Sequence, residues 1–322
     1  MLKQAVILAA GRGSRLGVIT RNRTKAMLPI LGKPIMIRVM DRIREAGIRR
    51  FVVVMGSQEG ELAAYLNSSW YPNIEVKYVL QPNPIGTADA LMMAQKYIDS
   101  DFLLTSIDNL ASPEHIPALI RHFNQNGADF VLSLVNATSD EIKASADVII
   151  NGGQVVDIME KPTSPRGDKA AFMLYACSQD FLKYLPNVPT SQRGERELVS
   201  AVRELLAKGG RVDYVVAKYR LHLTNDRDFL EFNNRYLDEG RDSHILSETP
   251  PHVVIHPPVR IDAGVQVGDG AEIGPYVYLE AGSTIGEGAC LSNTIVLRNT
   301  VVAKGEVCRD VIAMRDRRIA VG

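Results

Sequence analysis

Residues 4–17 read QAVILAAGRGSRLG, and they decide the class of the first half of the chain. Gln4–Ala10 is a continuous apolar run, which is typical of a β-strand buried on both faces of a sheet. A glycine-rich, basic loop follows it at once. Backbone N–H groups can come close to a bound anion where glycines open such a loop. The segment therefore predicts a buried strand that ends in an anion-binding loop.

Strand and helix patterns alternate over the first 140 residues. The predicted strands are 4–10, 50–55, 74–80, 101–107 and 129–135, and the predicted helices are 35–46, 59–67, 88–98 and 114–126. Such alternation favours the α/β class, with a mostly parallel sheet covered by helices on both faces. After residue 140 a hairpin is predicted around the turn Asn151–Gln154. Strands at 170–176 and 212–217 and helices at 195–207 and 226–236 complete this part.

Aliphatic residues then recur every six positions. They are Ile255, Ile261, Val267, Ile273, Leu279, Ile285, Leu291 and Leu297. A six-residue aliphatic repeat indicates a parallel β-helix, in which each aliphatic side chain points inward and glycine permits the tight corners. The predicted domains are a first domain over 1–240, a linker over 241–252, the β-helix over 253–313 and a tail over 314–322.

Length and composition exclude several classes of protein. The chain has 322 residues, so two domains are expected. Lys and Arg number 37, as do Asp and Glu, and this balance gives no overall field for a nucleic acid or an anionic membrane. The apolar runs are far shorter than the ~20 residues that span a bilayer. Three cysteines without CxxC spacing indicate neither a disulfide framework nor a zinc site. We therefore expect a cytoplasmic protein without nucleic-acid or membrane partners.

Basic residues are concentrated in the loop after the first strand. Arg12, Arg15, Arg21, Arg23 and Lys25 lie within fourteen positions of a neutral chain. Such a local excess suits a triphosphate, although a solvated basic surface remains the alternative. The glycine spacing fits neither a dinucleotide motif nor a Walker loop.

Five blocks of sequence resemble, in order, those of the sugar-1-phosphate nucleotidylyltransferases. They are Leu8–Gly17 with Lys25 and Leu28–Pro29, Gln81–Pro82 with Gly86–Ala90, Asp108–Leu110, Glu160–Pro162 and Arg193–Glu195. Several members of that family also end in a hexapeptide β-helix. The resemblance implies a Rossmann-like nucleotidyltransferase domain followed by a short left-handed parallel β-helix.

The resemblance also implies a reaction. A nucleotidyl group would pass from a nucleoside triphosphate to a sugar-1-phosphate, giving an NDP-sugar and pyrophosphate, with Mg²⁺ as cofactor and UTP or dTTP favoured. The attacking phosphate oxygen is already ionised at neutral pH, so the reaction needs positioning and charge neutralisation rather than a general base. A short β-helix exposes both of its ends, so a homo-oligomer formed through it is expected.

Individual roles follow from the same resemblance. Arg15 would stabilise the leaving phosphates and Lys25 would reach the α-phosphate. The implied catalytic residues are Arg15, Lys25, Asp108 and Lys161. The implied nucleotide-binding residues are Leu8, Ala10, Gly11, Gly13, Gln81, Gly86 and Thr87. The implied sugar-phosphate-binding residues are Glu160, Lys161, Tyr175 and Arg193. The implied metal ligands are Asp108 and His222.

Two departures from the family pattern leave alternatives open. The segment that usually reads Asn-Ala-Gly-x-Tyr is Ala171–Tyr175 here, so the asparagine that contacts the sugar is absent. His222 stands where the family has a second metal-binding Asp, and Asp226 is another candidate that could instead begin a helix. A regulatory homologue that binds nucleotide or NDP-sugar with little or no turnover is therefore a second hypothesis. A β-helix that transfers an acyl group is a third.

Overall fold

The computed structural model of the chain describes residues 2–11, 13, 16–68 and 70–321. The chain divides into two compact units, residues 1–12 with 39–222 and residues 13–38 with 223–322. The strands of the first unit are β1 (Gln4–Ala9), β4 (Arg50–Met55), β5 (Glu75–Leu80), β6 (Phe102–Ser106), β7 (Asn109–Ala111), β8 (Phe130–Asn136), β9 (Ala146–Asn151), β10 (Gln154–Glu160), β11 (Lys169–Cys177), β12 (Val212–Val216) and β13 (Arg220–His222). Its helices are α2 (Gly60–Ser68), α3 (Thr87–Ala94), α4 (His115–Asn126), α5 (Ser139–Lys143) and α6 (Leu198–Ala207), and α1 (Ile35–Glu45) joins the two units in sequence.

The centre of the large sheet is parallel. β1 lies between β4 and β6 and is parallel to both, and β5 continues the sheet beside β4. Every residue of β1 is buried, as expected for a strand with cover on both faces. Because these strands run in the same direction, their carboxyl ends meet at one edge of the sheet. That edge is where open α/β sheets bind ligands.

The other half of the sheet is mixed. β11 is antiparallel to β6, β8 and β9, and β12 pairs with β8 in parallel. The predicted hairpin is present as β9 and β10. The apolar core between the sheet and helices α3 and α6 includes Phe130, Tyr175 and Phe181. The α/β class predicted from the sequence is confirmed.

The second unit contains β2 (Pro29–Ile30), β3 (Lys33–Pro34), α7 (Asp226–Asp238) and a stack of short strands. These strands are β14 (Val254–Ile255), β15 (Val259–Ile261), β16 (Gln266–Val267), β17 (Glu272–Ile273), β18 (Val277–Leu279), β19 (Thr284–Ile285), β20 (Cys290–Val296), β21 (Val301–Val302), β22 (Val307–Met314) and β23 (Arg317–Ala320). Most neighbours in the stack are parallel, and their buried aliphatic residues form a separate core. Such stacked parallel strands are consistent with the expected β-helix, whereas its left-handed sense stays a prediction.

One position of the six-residue repeat is wrong. Ile261 pairs with Leu279, 18 positions on, whereas Leu279 pairs with Val296, 17 positions on, and not with Leu297. Three residues, 274–276, form the corner of one coil, but only Ser292 and Asn293 form the corresponding corner of the next. Because this corner is one residue shorter, Val296 takes the position in the stack that the six-residue period assigns to Leu297.

The compact units differ from the predicted domains. Residues 13–38 fold with the C-terminal unit although they precede most of the first unit in sequence. Within the predicted linker, His244 and Leu246 exchange backbone hydrogen bonds with Ile261. The predicted tail contains β23, which is antiparallel to β22. The boundaries at 240, 252 and 313 stay predictions. In the part of the chain that the structure describes, no helix is both long and apolar enough to cross a membrane.

Candidate active site

The loop after β1 contains several of the predicted nucleotide-binding residues. Leu8 is buried within β1, Ala10 is half-buried, and Gly11 is exposed. Ala10 and Gly11 therefore follow the strand at the carboxyl edge of the parallel sheet. Arg12, Ser14 and the predicted catalytic residue Arg15 lie outside the described residues.

Lys25 begins a single turn of 3₁₀ helix, Lys25–Met27. The residue is buried, and its side-chain carbons pack beside Gly13. A β-carbon added to Gly13 would lie 3.1 Å from the Lys25 β-carbon, and Gly13 has a φ of +60°. Both the backbone conformation and the close approach of Lys25 thus favour glycine at position 13.

Gln81 and Gly86 have local structural roles in addition to the predicted contact with the base. Gln81 follows β5, and its side-chain amide donates a hydrogen bond of 2.7 Å to Asp89. Gly86 has a φ of +128°, and a β-carbon there would lie 2.3 Å from the carbonyl oxygen of Arg196. The close approach of the Arg196 backbone thus explains the glycine without a ligand.

Thr87 joins the same segment to the start of α6. Its hydroxyl accepts a hydrogen bond of 3.0 Å from the backbone N–H of Leu198, and Ala88 donates to the carbonyl of Arg196 at 2.9 Å. These bonds fix residues 86–88 against residues 196–198. The predicted base-binding segment is therefore bonded directly to the segment that follows the Arg193–Glu195 motif.

The two predicted metal ligands lie side by side. β7 and β13 form a small antiparallel sheet in which His222 pairs with Asn109, next to Asp108. His222 Nε2 is 3.5 Å from Asp108 Oδ2, while Asp108 Oδ1 accepts a hydrogen bond of 2.6 Å from Ser106. Asp226 is instead the first residue of α7, and Asn225 caps that helix through a reciprocal bond with Asp228. The structure thus brings His222 to Asp108.

These two side chains provide one carboxylate oxygen and one imidazole nitrogen. Among residues 2–11, 13, 16–68 and 70–321, no group of three His, Cys, Asp or Glu side chains is placed to hold a metal ion. Mg²⁺ commonly binds to one or two carboxylates and completes its shell with substrate phosphates and water. Asp108 fits such a site, whereas the nitrogen of His222 suits transition ions better.

A cavity of about 130 Å³ collects most of the predicted sugar-phosphate residues. Glu160, Lys161 and Tyr175 line it, together with Thr87. The rest of its wall consists of Glu195, Glu197 and the apolar residues Leu132, Ile158, Met173, Leu198, Val199 and Val202. A half-apolar cavity with a few convergent polar groups is the usual form of a small-molecule site.

The carboxyl group of Glu160 is strongly perturbed. Its pKa is raised to about 7, mainly by burial; the carboxylates of Glu197 and Glu195 contribute to this rise, and the cations of Lys161 and Arg193 oppose it. The ammonium of Lys161 lies 3.9 Å from Glu160, and Lys161 has a φ of +44°. Burial also raises the pKa of Tyr175 above its ordinary value, so the phenol stays neutral. Perturbed carboxyl groups in a cleft are a mark of functional sites.

Arg193 is held by a carboxylate that the sequence analysis did not identify. Glu197 Oε1 accepts hydrogen bonds from the Arg193 guanidinium and, at 2.9 Å, from the Ser191 hydroxyl. The bend that carries Arg193 is closed by a backbone bond of 2.8 Å from Ser191 to Glu195. The four-residue spacing between Arg193 and Glu197 is the signal that could have identified this pair.

The departure at Ala171–Tyr175 affects the wall of the cavity. β11 places Ala171 in the interior, where its carbonyl accepts a hydrogen bond of 2.6 Å from Ser145. Met173 lines the cavity at the position where the family usually has glycine. Position 171 therefore offers no side-chain amide to a sugar, and Met173 fills space that a glycine would leave open.

Two family models match this chain. The family model described as "Nucleotidyl transferase" matches residues 4–239, and the model described as "GMPPB C-terminal domain" matches residues 255–320. A glucose-1-phosphate thymidylyltransferase of Streptomyces antibioticus is 27% identical, over 85% of this chain and 77% of its own length. The UTP–glucose-1-phosphate uridylyltransferase AglF of Haloferax volcanii is also 27% identical, over 73% of this chain and 97% of its own.

A longer relative and a solved structure extend the comparison. The bifunctional protein GlmU of Methanococcus maripaludis is 29% identical, over 98% of this chain and 74% of its own length. A crystal structure of UDP-glucose pyrophosphorylase complexed with UDP-glucose superposes with a TM-score of 0.68 at 21% identity, over 74% of this chain and 100% of that one. The fold of the first domain is thus shared with known enzymes. Because the family model spans well over half of its residues, the chain belongs to the nucleotidyl transferase family.

Proposed function

We propose that the protein transfers a nucleotidyl group from a nucleoside triphosphate to a sugar-1-phosphate and so produces an NDP-sugar and pyrophosphate. The observation that carries the proposal is the cavity lined by Glu160, Lys161 and Tyr175, with Arg193 held beside it. It combines cations for a phosphate with carboxylates that accept hydrogen bonds from sugar hydroxyls.

The reaction is a displacement at the α-phosphorus. A phosphate oxygen of the sugar-1-phosphate attacks, and pyrophosphate leaves with the electron pair of the broken P–O bond. Lys161 and Arg193 hold the attacking phosphate, Glu160 accepts a hydrogen bond from the sugar ring, and Lys25 offsets the charge that develops on the nucleotide. None of these residues needs to remove a proton from the nucleophile, because that oxygen is already ionised.

A divalent cation belongs to the proposal. Asp108 and His222 would hold it, and Mg²⁺ bound there would neutralise charge on the triphosphate. Because the described residues offer only one carboxylate and one imidazole, phosphate oxygens and water would supply the rest of the shell. This composition is also compatible with Mn²⁺.

The relatives suggest which substrates to test first. Their names specify glucose-1-phosphate with a thymidylyl or a uridylyl group. We therefore propose UTP or dTTP as the donor and a hexose-1-phosphate as the acceptor, in a cytoplasmic homo-oligomer. Met173 lines the cavity and limits the space for the sugar, so the substrate panel includes several sugar-1-phosphates.

A second candidate is a regulatory homologue that binds nucleotide without turnover. The imidazole at position 222 and the side chain of Met173 in the cavity favour it. The experiment is pyrophosphate release over UTP, dTTP, CTP, ATP and GTP, each combined with glucose-1-phosphate, mannose-1-phosphate and N-acetylglucosamine-1-phosphate. We expect the greatest release with UTP or dTTP. If the protein binds nucleotide but releases no pyrophosphate with any pair, the regulatory function is correct instead.

A further inference from the structure

Arg23, in the basic segment at residues 12–25, forms an ion pair with the C-terminal repeats. The guanidinium of Arg23 lies 2.8 Å from the carboxylate of Glu280, and the two side chains are only 6% and 13% exposed. Arg23 is one of the five basic residues whose concentration in the sequence suits a triphosphate or a solvated basic surface. In the structure it forms a buried ion pair with a residue 257 positions later in the chain.

Glu280 connects the basic segment to the repeats at a second point. Its other carboxylate oxygen accepts a hydrogen bond of 2.7 Å from the backbone N–H of Arg298. The Arg298 guanidinium in turn donates to the carbonyl oxygen of Asn22 at 3.4 Å. Residues 22 and 23 are therefore held to two positions of the repeats that lie 18 residues apart.

The other end of the same segment is also fixed. The backbone N–H of Leu31 donates to the side chain of Asn233 at 3.0 Å. The guanidinium of Arg38 donates to the carbonyl oxygens of Ile30 and Leu31 and forms an ion pair of 2.6 Å with Asp242. Residues 24–29 thus lie between two anchors.

Lys25 is among those intervening residues. Its 3₁₀ turn is closed by backbone bonds of 3.0 and 3.2 Å, from Met27 to Thr24 and from Leu28 to Lys25. A single 3₁₀ turn has little stability of its own, so its position depends on the segments that hold its ends. The anchor on the N-terminal side of Lys25 is the pair of Arg23 with Glu280.

We infer that Glu280 is a positioning residue for the nucleotide: through Arg23 it sets the place of Lys25, so that the C-terminal repeats determine the affinity for the triphosphate. This inference rests on the proposed function of Lys25 and gives the repeats a role besides assembly. Arg23 acts here by holding the loop and makes no contact with phosphate.

The test uses full-length variants and two measurements. The first measurement is the dissociation constant of UTP and dTTP, and the second is kcat/KM with each substrate varied in turn. Glu280→Gln should weaken nucleotide binding roughly 10- to 100-fold, the scale on which a displaced catalytic group acts. The KM for the sugar-1-phosphate should change less than two-fold. Arg23→Met should reproduce the loss, whereas Arg23→Lys should restore most of the affinity because it keeps the charge.

Two controls separate positioning from loss of stability. Glu287→Gln removes a carboxylate of the same repeats whose partner Lys304 is 2.9 Å away, in a pair with side chains 61% and 74% exposed, and it should leave both measurements unchanged. The double variant Arg23→Met/Glu280→Gln leaves no unpaired buried charge, so it should fold even if a single variant does not. Its nucleotide affinity should equal that of the weaker single variant, because both residues act through the same contact.

Three outcomes overturn the inference. In the first, Glu280→Gln lowers the unfolding temperature but leaves nucleotide affinity unchanged. In the second, Arg23→Met weakens nucleotide binding and Glu280→Gln does not, which means that Arg23 contacts the phosphates itself. In the third, the double variant binds nucleotide as the unmodified protein does. An unmodified protein that neither binds nor turns over nucleotide would instead contradict the proposed function.

Discussion

Asp108 Oδ2 and His222 Nε2 face each other at 3.5 Å across the paired strands β7 and β13. Their separation is short enough for one cation to contact both. A metal site with a single carboxylate should bind Mg²⁺ more weakly than one with two. We therefore expect that activity depends on a divalent cation but requires a higher Mg²⁺ concentration than a site with two carboxylates would.

Substitutions at these two positions should have opposite effects. Asp108→Asn should abolish activity, whereas His222→Asp should lower the Mg²⁺ concentration at half-maximal rate. Asp226→Asn, at the start of α7, should have little effect on the metal response. The measurement is a titration of rate with Mg²⁺ and with Mn²⁺. The assignment is wrong if His222→Asp leaves both titrations unchanged while Asp226→Asn abolishes activity.

Among the described residues of the nucleotide loop, Lys25 should be the one whose substitution lowers activity most. Lys25→Ala should reduce kcat at least ~100-fold, the typical cost of one preorganised contact to a developing anion. The same loss is expected for Arg15→Ala. Lys304→Ala, an exposed lysine of the repeats, is the control and should retain full activity. A rate near that of the unmodified protein for both Lys25→Ala and Arg15→Ala would remove this loop from the triphosphate site.

The raised pKa of Glu160 should make stability depend on pH. Its pKa is about 7 in the folded chain against an ordinary value of 4.5, so between these values only the folded chain keeps the proton. The stabilising contribution is complete below pH 4.5 and is lost as the pH rises through 7. The quantity to compare is the change in the free energy of unfolding caused by Glu160→Gln. This change should be more favourable at pH 8 than at pH 5 by roughly 1–3 kcal/mol, because the glutamine carries no charge at either pH. Urea unfolding at both pH values measures this, and an equal change at each would contradict it.

Glu197 should act on the sugar-1-phosphate through Arg193. Glu197→Gln weakens the hold on the guanidinium, and hydrogen bonds to charged groups contribute ~1.5–3 kcal/mol, so the KM for sugar-1-phosphate should rise about 10-fold. The KM for the nucleotide should stay the same. Glu231→Gln removes the carboxylate of an exposed Arg–Glu pair of the same spacing on α7 and serves as the control. Equal changes in both KM values would show that Glu197 supports the fold rather than the sugar site.

Gly86 should be essential to the fold. In Gly86→Ala the new β-carbon would lie 2.3 Å from the Arg196 carbonyl oxygen at a φ that L-residues rarely adopt. We expect a loss of about 3 kcal/mol or more in the free energy of unfolding, measured with urea. Gly60→Ala, where a β-carbon meets no atom within 4 Å, is the control and should cost little. A stable Gly86→Ala variant with weak nucleotide binding would show that this glycine serves the base instead.

The elements were predictable because their signals are local. The buried strand at Gln4–Ala9, the hairpin of β9 and β10 and the stacked repeats each follow from an apolar pattern or a turn within a few residues. The inward position in the last coil was not predictable. A six-residue period continues past Asn293, whereas the corner there is one residue shorter.

The residues of the candidate site could be predicted only as far as the family resemblance extends. The motif residues Glu160, Lys161 and Tyr175 do line one cavity. Two further relationships required the structure. Gly86 packs against the backbone of Arg196, and Arg23 pairs with Glu280. In each case the two residues are more than 100 positions apart in sequence, and no periodic pattern connects them.

The composition of the second compact unit limits how this enzyme can be recombined with its relatives. Residues 13–38 fold with residues 223–322, so a single crossover near residue 240 would join the Asn22–Arg23 segment of one parent to the repeats of another. The buried Arg23 would then meet whatever residue that parent carries in place of Glu280. An active chimaera needs three crossovers, at the boundaries near residues 13, 38 and 223, so that residues 13–38 are transferred together with residues 223–322. The part of this chain that must be exchanged as a whole therefore consists of two segments that are separate in sequence.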